Sequence, residues 1–323
     1  YLVETAGPAD ATIAMSKPVK FTLDNYGKIT AGGNKNTNTV TMSDPTVKIK
    51  VAKKDQFGMG VSDAELTITE GVYQNGVFTA NNPSVEQKID KTDGNAQEVT
   101  GLERGKTYQL EETNVPAGYM KANPMVFSID DYGKITVLNN GDQMGEEEAY
   151  KNKFDNNQTL TLTDERIVGH VQFKKMDSYL PTGQDKYKPL EGVQFDLYKA
   201  NGAAPADGDT KINATHFTSD SEGVVTTLNC NINDQTGETL SHGLRPGTYY
   251  FKEVATHGDF VLPTGKDANT PTFEVKTDGS NRYSWKNDVK DAADGGKHYI
   301  IDITKENQPY SMLNDPFRCD IFF

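Results

Sequence analysis

Cysteine is scarce in this chain of 323 residues, and so are the motifs that mark common enzymes. Only two cysteines are present, Cys230 and Cys319, whereas secreted domains held together by disulfides usually carry more. The five histidines show no metal-ligand spacing, and no nucleophile elbow, phosphate-binding loop or dinucleotide-binding fingerprint occurs. These gaps argue against a disulfide scaffold, a metal site and a nucleotide-dependent enzyme, and no cofactor is expected.

Positive charge and long apolar runs are also in short supply. Lys and Arg number 33 against 46 Asp and Glu, and the net charge of −13 disfavours nucleic acid or an anionic membrane as a partner. No stretch of about 18 apolar residues is present to span a membrane as a helix. Apolar residues seldom recur at helical spacing, so little helix is expected.

Strand patterns dominate instead, and one strand motif occurs twice. The motif Thr-Tyr-x-[Leu/Phe]-x-Glu spans residues 107–112 and 248–253, and its ending returns as Leu2-Val3-Glu4. Residues two apart in a strand face the same side, so each complete copy places a glutamate at the end of an apolar row. These glutamates are Glu112 and Glu253. A carboxylate buried in this way needs a partner or a chemical task.

A lysine-bearing strand precedes each complete motif, and a segment ending in asparagine follows it. The lysine closes an apolar row that ends Val51-x-Lys53 in one case and Phe173-x-Lys175 in the other. The order Lys…Glu…Asn therefore appears twice and predicts two triads: Lys53, Glu112 and Asn152, then Lys175, Glu253 and Asn307. The opening segment supplies Glu4 and Asp44, with the same separation as Glu112 and Asn152.

An internal repeat sets the expected domain boundaries. The sequence 21–30 recurs as 127–136, and both copies are typical of a hairpin with a polar turn closed by glycine. We therefore predict the C-terminal part of a domain over 1–45, a complete domain over 46–156 and a third over 157–323. Residues 160–163 are interpreted as a strand added before the lysine strand of the third domain.

These motifs, in the same order twice, resemble the Cna B-type, prealbumin-like domains of Gram-positive pilins and surface adhesins. The resemblance extends to 189–198, 219–223 and 243–247, and covers the chain to about Pro309. It implies an all-β fold of tandem immunoglobulin-like β-sandwiches. It also implies an intramolecular isopeptide bond between each Lys and Asn, assisted by the Glu. The tail from Asp315 matches nothing in the family.

Chemistry argued from the residues alone leads to the same reaction. Burial in an apolar core lowers the pKa of a lysine and raises the pKa of a carboxylic acid. A neutral Glu between Lys and Asn can polarise the amide and relay a proton to the departing ammonia. This is self-modification in a single turnover, so the protein is not expected to be an enzyme. The competing interpretation is that Lys53–Glu112 and Lys175–Glu253 are ordinary buried salt bridges.

The resemblance implies an extracellular, cell wall-anchored pilus shaft or adhesin stalk. Its partners would be other pilin subunits or the cell wall, joined by sortase outside this segment, or a host surface ligand. Two alternatives are an adhesin region that binds host matrix or glycan, and an accessory module of a secreted enzyme. We further expect an upstream lysine strand to complete a third cross-link with Glu4 and Asp44. Cys230 and Cys319 are expected to stay unpaired, since the tail has no family counterpart.

Overall fold

The computed structural model describes two compact units, residues 1–166 and 167–323. Within them it describes residues 1–31, 34–37, 39–142, 148–178, 183, 187–276, 289–291, 297–302, 304–305, 308–309 and 311–314. Side chains are described except at 34–37, at 150 and from 289 onward. Almost all regular elements are strands, and the helical ones are short 3₁₀ turns, which confirms the all-β prediction.

Among its described residues, the first unit has fourteen strands and one 3₁₀ turn at Glu148–Tyr150. The strands are β1 (Phe21–Leu23), β2 (Ile29–Ala31), β3 (Asn34–Thr37), β4 (Lys48–Asp55), β5 (Glu65–Gln74), β6 (Val77–Ala80), β7 (Glu86–Ile89), β8 (Gln97–Thr100), β9 (Lys106–Asn114), β10 (Tyr119–Met120), β11 (Met125–Ile129), β12 (Ile135–Asn139), β13 (Lys153–Phe154) and β14 (Thr159–Arg166).

Two sheets of the first unit enclose its core. One has the order β10-β14-β4-β8, with β13 also on β14, and the other has the order β12-β11-β9-β5-β6, with β7 also on β5. Ile49 and Leu162 from the first sheet pack in one cluster with Leu66, Leu110 and Phe127 from the second. Each such side chain contributes about 1.5–3 kcal/mol when fully buried, so the alternating apolar rows fix which strand faces lie inside.

The opening segment packs on the first unit as part of it. Strands β1 to β3 form a small sheet, and the β1–β2 turn repeats the β11–β12 turn, with Asp24 and Asp130 each accepting two backbone N–H groups. Ala14 is fully buried in the core cluster, and Arg104 donates to the carbonyl oxygens of Ile13 and Pro8. The hairpin prediction is thus confirmed at both copies.

Strand β14 corrects the expected boundary between the second and third domains. Residues 160–163 were predicted to open the third domain, but they lie in β14, which pairs in parallel with β4 inside the first unit. The boundary falls after Arg166 and not after Asn156. The physical reason is that β14 buries Leu160 and Leu162 in the core of the first unit, and parallel partners lie far apart in sequence.

The second unit repeats this arrangement. Its strands are β15 (His170–Asp177), β16 (Gln194–Lys199), β17 (Thr210–Lys211), β18 (Phe217–Thr218), β19 (Val224–Thr226), β20 (Gly247–Ala255), β21 (Phe273–Val275), β22 (Val289–Asp291), β23 (Lys297–Asp302), β24 (Thr304–Lys305), β25 (Gln308–Pro309) and β26 (Ser311–Asn314), with 3₁₀ turns at Leu240–His242 and Gly265–Ala268.

The sheets of the second unit have the orders β19-β15-β23-β22 and β17-β16-β20-β21. Strand β26 also pairs with β15, and β18 also pairs with β16. Phe173 on β15 makes aromatic contacts with Phe195 on β16 and Phe251 on β20, with ring centroids 5.1 Å apart in both pairs. These contacts join the two sheets through an aromatic core.

Candidate functional site

Three buried ionisable side chains meet in the core of the first unit. The Lys53 amine lies 3.5 Å from Oε2 of Glu112 and forms a closer ion pair with Oδ1 of Asp164. All three side chains have no exposed surface. The backbone N–H of Ala122 donates to both carboxylates, at 3.2 Å to Glu112 and 3.0 Å to Asp164. A nucleophile, a carboxyl carbon and a second acid are therefore in contact.

Strand register brings this trio together. Lys53 and Asp55 share the inward face of β4, and Asp55 is the register partner of Asp164 on β14. Because β4 and β14 run parallel, Asp164 reaches back to Lys53 across the neighbouring strand. Glu112 lies at the end of the inward row Tyr108-x-Leu110-x-Glu112 on β9, in the opposite sheet. The lysine is thereby placed between carboxylates from two different strands.

Burial changes the acidity of the central glutamate. Loss of water around the carboxylate raises the pKa of Glu112 from its usual 4.5 to about 8, the Lys53 charge opposes this rise, and Asp164 adds to it. Glu112 is therefore largely protonated at neutral pH and can donate as well as accept a hydrogen bond. A neutral acid beside a lysine and a second carboxyl is suited to relaying a proton between them.

Asn152, the residue expected to react with Lys53, makes its side-chain hydrogen bonds to backbone groups. Its Nδ2 donates to the carbonyl oxygens of Asn123 and Asn140, and its Oδ1 accepts from the backbone N–H of Thr163. Through these bonds the Asn152 side chain links the backbone at Asn123 and Asn140 to the backbone of β14. The structure therefore brings Asp164 to the lysine and gives Asn152 backbone partners.

Sequence reasoning passed over Asp164 because it aligned the closing strands by separation alone. Residues 39–44, Thr-Val-Thr-Met-Ser-Asp, match 159–164, Thr-Leu-Thr-Leu-Thr-Asp, so Asp44 corresponds to Asp164. The equal separations of Glu4 from Asp44 and Glu112 from Asn152 are a coincidence, since the connection 137–158 is longer than its counterpart 31–38. The alternation of polar and apolar residues over 159–164 was the signal that could have identified this stretch as the closing strand.

The second unit has a corresponding buried pair. The Lys175 amine lies 2.8 Å from Oε2 of Glu253, and neither side chain has exposed surface. Desolvation lowers the pKa of Lys175, whereas the hydrogen bond and charge of Glu253 oppose that shift. A lysine with a lowered pKa supplies a neutral amine more readily, which is the nucleophilic form.

The register of the second unit places Asn314 where Asp164 lies in the first. Asp177 pairs with Asn314 between the parallel strands β15 and β26, just as Asp55 pairs with Asp164. Lys175 precedes Asp177 by two residues, as Lys53 precedes Asp55. Asn307, the predicted partner of Lys175, lies outside the described residues, and so does Cys319.

The opening segment shows part of the same arrangement. Oε2 of Glu4 accepts from the backbone N–H of Ser16 at 2.7 Å, which is the counterpart of the Ala122-to-Glu112 bond. Asp44 is exposed. The structure thus gives Glu4 the same kind of backbone partner as Glu112, and the predicted third cross-link stays a prediction.

Other chemistry finds little support in the described parts of the chain. No group of three or more metal-binding side chains is found among the described residues, and none of the helices described there is long and apolar enough to cross a membrane. Cys230 is half-buried beside the core of the second unit, and burial raises the pKa of its thiol. Its pairing with Cys319 is untested.

Several solved structures are similar to this chain. The chain resembles the TIE protein of Bacillus anthracis at 14% identity and TM-score 0.37, over 92% of this chain and 41% of that one, so it spans less than half of that protein. It resembles a C-terminal fragment of the pilus adhesin SpaC from Lactobacillus rhamnosus GG at 15% identity and TM-score 0.37, over 85% of this chain and 99% of that one.

The shaft pilin SpaA from Lactobacillus rhamnosus GG is a further structural match, at 14% identity and TM-score 0.28, over 84% of this chain and 98% of that one. No curated protein matches the chain significantly. The family model of the SpaA prealbumin-like fold domain matches residues 47–143 and 169–289, more than half of the chain and one match in each unit. The chain therefore belongs to the SpaA family of prealbumin-like fold domains, as its sequence motifs predicted.

Proposed function

We propose that this chain is a stalk segment of a Gram-positive surface protein whose domains cross-link themselves. The observation that carries the proposal is the buried contact of Lys53 with Asp164 and Glu112, which joins the lysine strand of the first unit to its closing strand. Such a trio is costly as a salt bridge, because the buried charges of Lys53 and Asp164 lose their hydration. Amide formation removes two of those charges, which gives the burial a chemical purpose.

The reaction balances without a cofactor. A proton passes from the Lys53 ammonium to the Asp164 carboxylate by way of Glu112, which leaves a neutral amine and a neutral acid. The amine nitrogen then attacks Cγ of Asp164, the C–O bond breaks, and the oxygen leaves as water with a proton from Glu112. Glu112 regains a proton from the attacking nitrogen and ends unchanged. Fixed contact between the reactants supplies a large effective molarity.

The second unit is proposed to react in the same way through Lys175, Glu253 and Asn314. The 2.8 Å contact between Lys175 and Glu253 and the Asp177–Asn314 register support this assignment. Here the leaving group is ammonia, because the electrophile is an amide and not an acid. This pairing replaces the predicted Lys175–Asn307 bond as the preferred assignment.

A stalk must resist pulling, and the positions of the proposed bonds suit that task. In the first unit the bond joins Lys53 on β4 to Asp164 near the end of β14, so residues 54–163 lie inside a closed covalent loop. Tension applied along the chain then passes through the bond and bypasses the loop. Closing a loop of this size is worth about 5 kcal/mol by the chain-entropy argument used for disulfides.

Peptide mapping of the native protein tests the assignment. Two bonds should remove about 35 Da from the intact mass, about 18 Da as water and about 17 Da as ammonia, by the stoichiometry of amide formation. Proteolysis should yield branched peptides that contain Lys53 with Asp164 and Lys175 with Asn314. A branched peptide with Asn152 or Asn307 would restore the original pairing, and unmodified peptides throughout would refute cross-linking.

A matched control is available in the same unit. Lys106 lies 2.9 Å from Oε1 of Glu70, and Asn81 donates to that same oxygen, so Lys, Glu and Asn also meet there. Lys106 is partly exposed, and its hydrogen bond to Glu70 raises its pKa, so the amine stays charged and unreactive. Lys106→Met should leave the mass deficit intact, whereas Lys53→Met should abolish the water loss.

A further inference from the structure

Two more buried charges adjoin the Lys53 site, and the proposed reaction does not use them. Nη2 of Arg166 lies 2.5 Å from Oδ2 of Asp55, and both side chains are almost fully buried. Asp55 is on the same face of β4 as Lys53 and is the register partner of Asp164, which itself precedes Arg166 by two residues on β14. The second ion pair is therefore next to the first.

Residues 55–57 hold Arg166 at several points. Gln56 makes two hydrogen bonds to the Arg166 backbone, one to its N–H at 2.7 Å and one to its carbonyl oxygen at 3.2 Å. The guanidinium carbon lies 5.5 Å from the ring centroid of Phe57, within cation–π range. Oδ1 of Asp55 accepts the backbone N–H groups of Phe57 and Met59, which fixes the orientation of that carboxylate.

We propose that Arg166 is a positioning residue for amide formation at Lys53, and that it acts by neutralising Asp55. This inference rests on the proposed cross-linking function. Asp55 is a second carboxylate beside the reacting lysine. The Arg166 contact and the two N–H groups engage both Asp55 oxygens, so Asp164 is the carboxyl that faces the amine.

The balance of charges around the site explains why Asp55 needs Arg166. The buried ionisable groups around the site are Lys53 and Asp55 from β4, Glu112 from β9, and Asp164 and Arg166 from β14. With Glu112 protonated, two positive charges face two negative charges. After the bond forms, Lys53 and Asp164 are neutral, and Arg166 still balances Asp55. The network is thus neutral before and after reaction, which a buried site requires.

Removing one member of the Arg166–Asp55 pair should shift the pH dependence in a defined direction. Without Arg166, uncompensated Asp55 makes the site more negative, so its protons are held more tightly and the rate profile moves to higher pH. Without the Asp55 charge, Arg166 makes the site more positive, and the profile moves to lower pH. A neighbouring buried charge shifts a titration by about one to three pH units.

The experiment follows water loss during refolding of the full chain. Protein recovered unfolded and unreacted from inclusion bodies is diluted into buffers of different pH, quenched at intervals and analysed by mass spectrometry. Arg166→Met should move the optimum up, Asp55→Asn should move it down, and the double variant should return it close to the wild-type position. Arg166→Lys, which keeps the charge but loses the planar contacts, should leave the optimum in place.

Arg104→Met is the matched control, because Arg104 bonds to backbone carbonyls of the opening segment and should not move the optimum. If Arg166→Met does not fold, Asp55→Asn alone tests the proposal, since the pH optimum of its water loss must be lower than that of the wild type. Unmoved optima, shifts of the same sign in both variants, or a double variant without recovery would overturn the proposal. A wild-type chain that never loses water would instead refute the proposed function itself.

Discussion

At the scale of single residues, the two units have different residue types at the position proposed for the electrophile. Asp164 and Asn314 occupy the same register position in the two units, yet one is an acid and the other an amide. In the proposed reaction both would give the same amide, because the oxygen or nitrogen in which they differ would leave. The site should therefore accept either residue, provided that the register holds.

Asp164→Asn tests this interchange. The cross-linked variant should have the same intact mass as the cross-linked wild type, since the wild type loses water and the variant loses ammonia from otherwise identical side chains. An unlinked variant would be heavier by about 17 Da, by the same stoichiometry. Asp164→Ala, which cannot react, gives the reference for the unlinked state. Asn314→Asp should behave in the same way in the second unit.

Lys175 provides a pH-dependence test at the same scale. Desolvation lowers its pKa in the folded state, so unfolding takes up a proton between that lowered pKa and the unfolded value near 10.5. Stability of an unlinked second unit should then rise as pH increases from that lowered pKa towards 10.5, and it should be level below the lowered pKa, where lysine is protonated in both states. Stability is expected to increase because, at higher pH, Lys175 no longer has to be buried as a charged ammonium group.

Asn314→Ala supplies the unlinked protein for this measurement. Urea unfolding between about pH 8 and pH 10 should show stability increasing with pH, and Lys175→Met in the same background should remove that trend. The measurement stops at about pH 10 because burial raises the pKa values of Tyr249 and Tyr250 to about 12. At higher pH these tyrosines ionise more readily in the unfolded chain, which lowers stability. An identical trend in both variants would contradict the assignment to Lys175.

At the scale of secondary-structure elements, local patterns predicted more than long-range pairings did. The lysine strands, the glutamate strands and the hairpins at 21–30 and 127–136 could be recognised, because period-two alternation and turn residues are local signals. The pairing of β14 with β4 could not, since a parallel pair is joined by a long crossover whose register is set by the folded core. Because that pairing was not predicted, the contact of Asp164 with Lys53 was not predicted either.

Asn152 illustrates how an element is held in place. Its side chain satisfies two carbonyl groups and the backbone N–H of Thr163, one residue before Asp164. Asn152→Ala should destabilise the first unit by about 1–3 kcal/mol, because it leaves buried backbone groups unpaired. Cross-linking should persist, with the water loss unchanged by mass spectrometry. Loss of the Lys53 cross-link in this variant, with the fold retained, would support the original Lys53–Asn152 pairing.

At the scale of the whole molecule, two units would each be closed by one covalent loop. The loops differ in size, since one would run from Lys53 to Asp164 and the other from Lys175 to Asn314. The net charge of −13 makes the exposed surface repulsive towards other acidic chains. Mechanical behaviour should therefore depend on the two bonds more than on the sheets that surround them.

Single-molecule pulling tests this view directly. In the wild type, neither loop can extend, so no unfolding event should release its contour length. Glu112→Ala should add one event of about 400 Å, and Glu253→Ala one of about 500 Å, because an extended chain gains about 3.3–3.6 Å per released residue. The proton relay is lost in each variant, and only its own unit should respond. Wild-type molecules that show both long events would lack covalent loops and would be held together by packing alone.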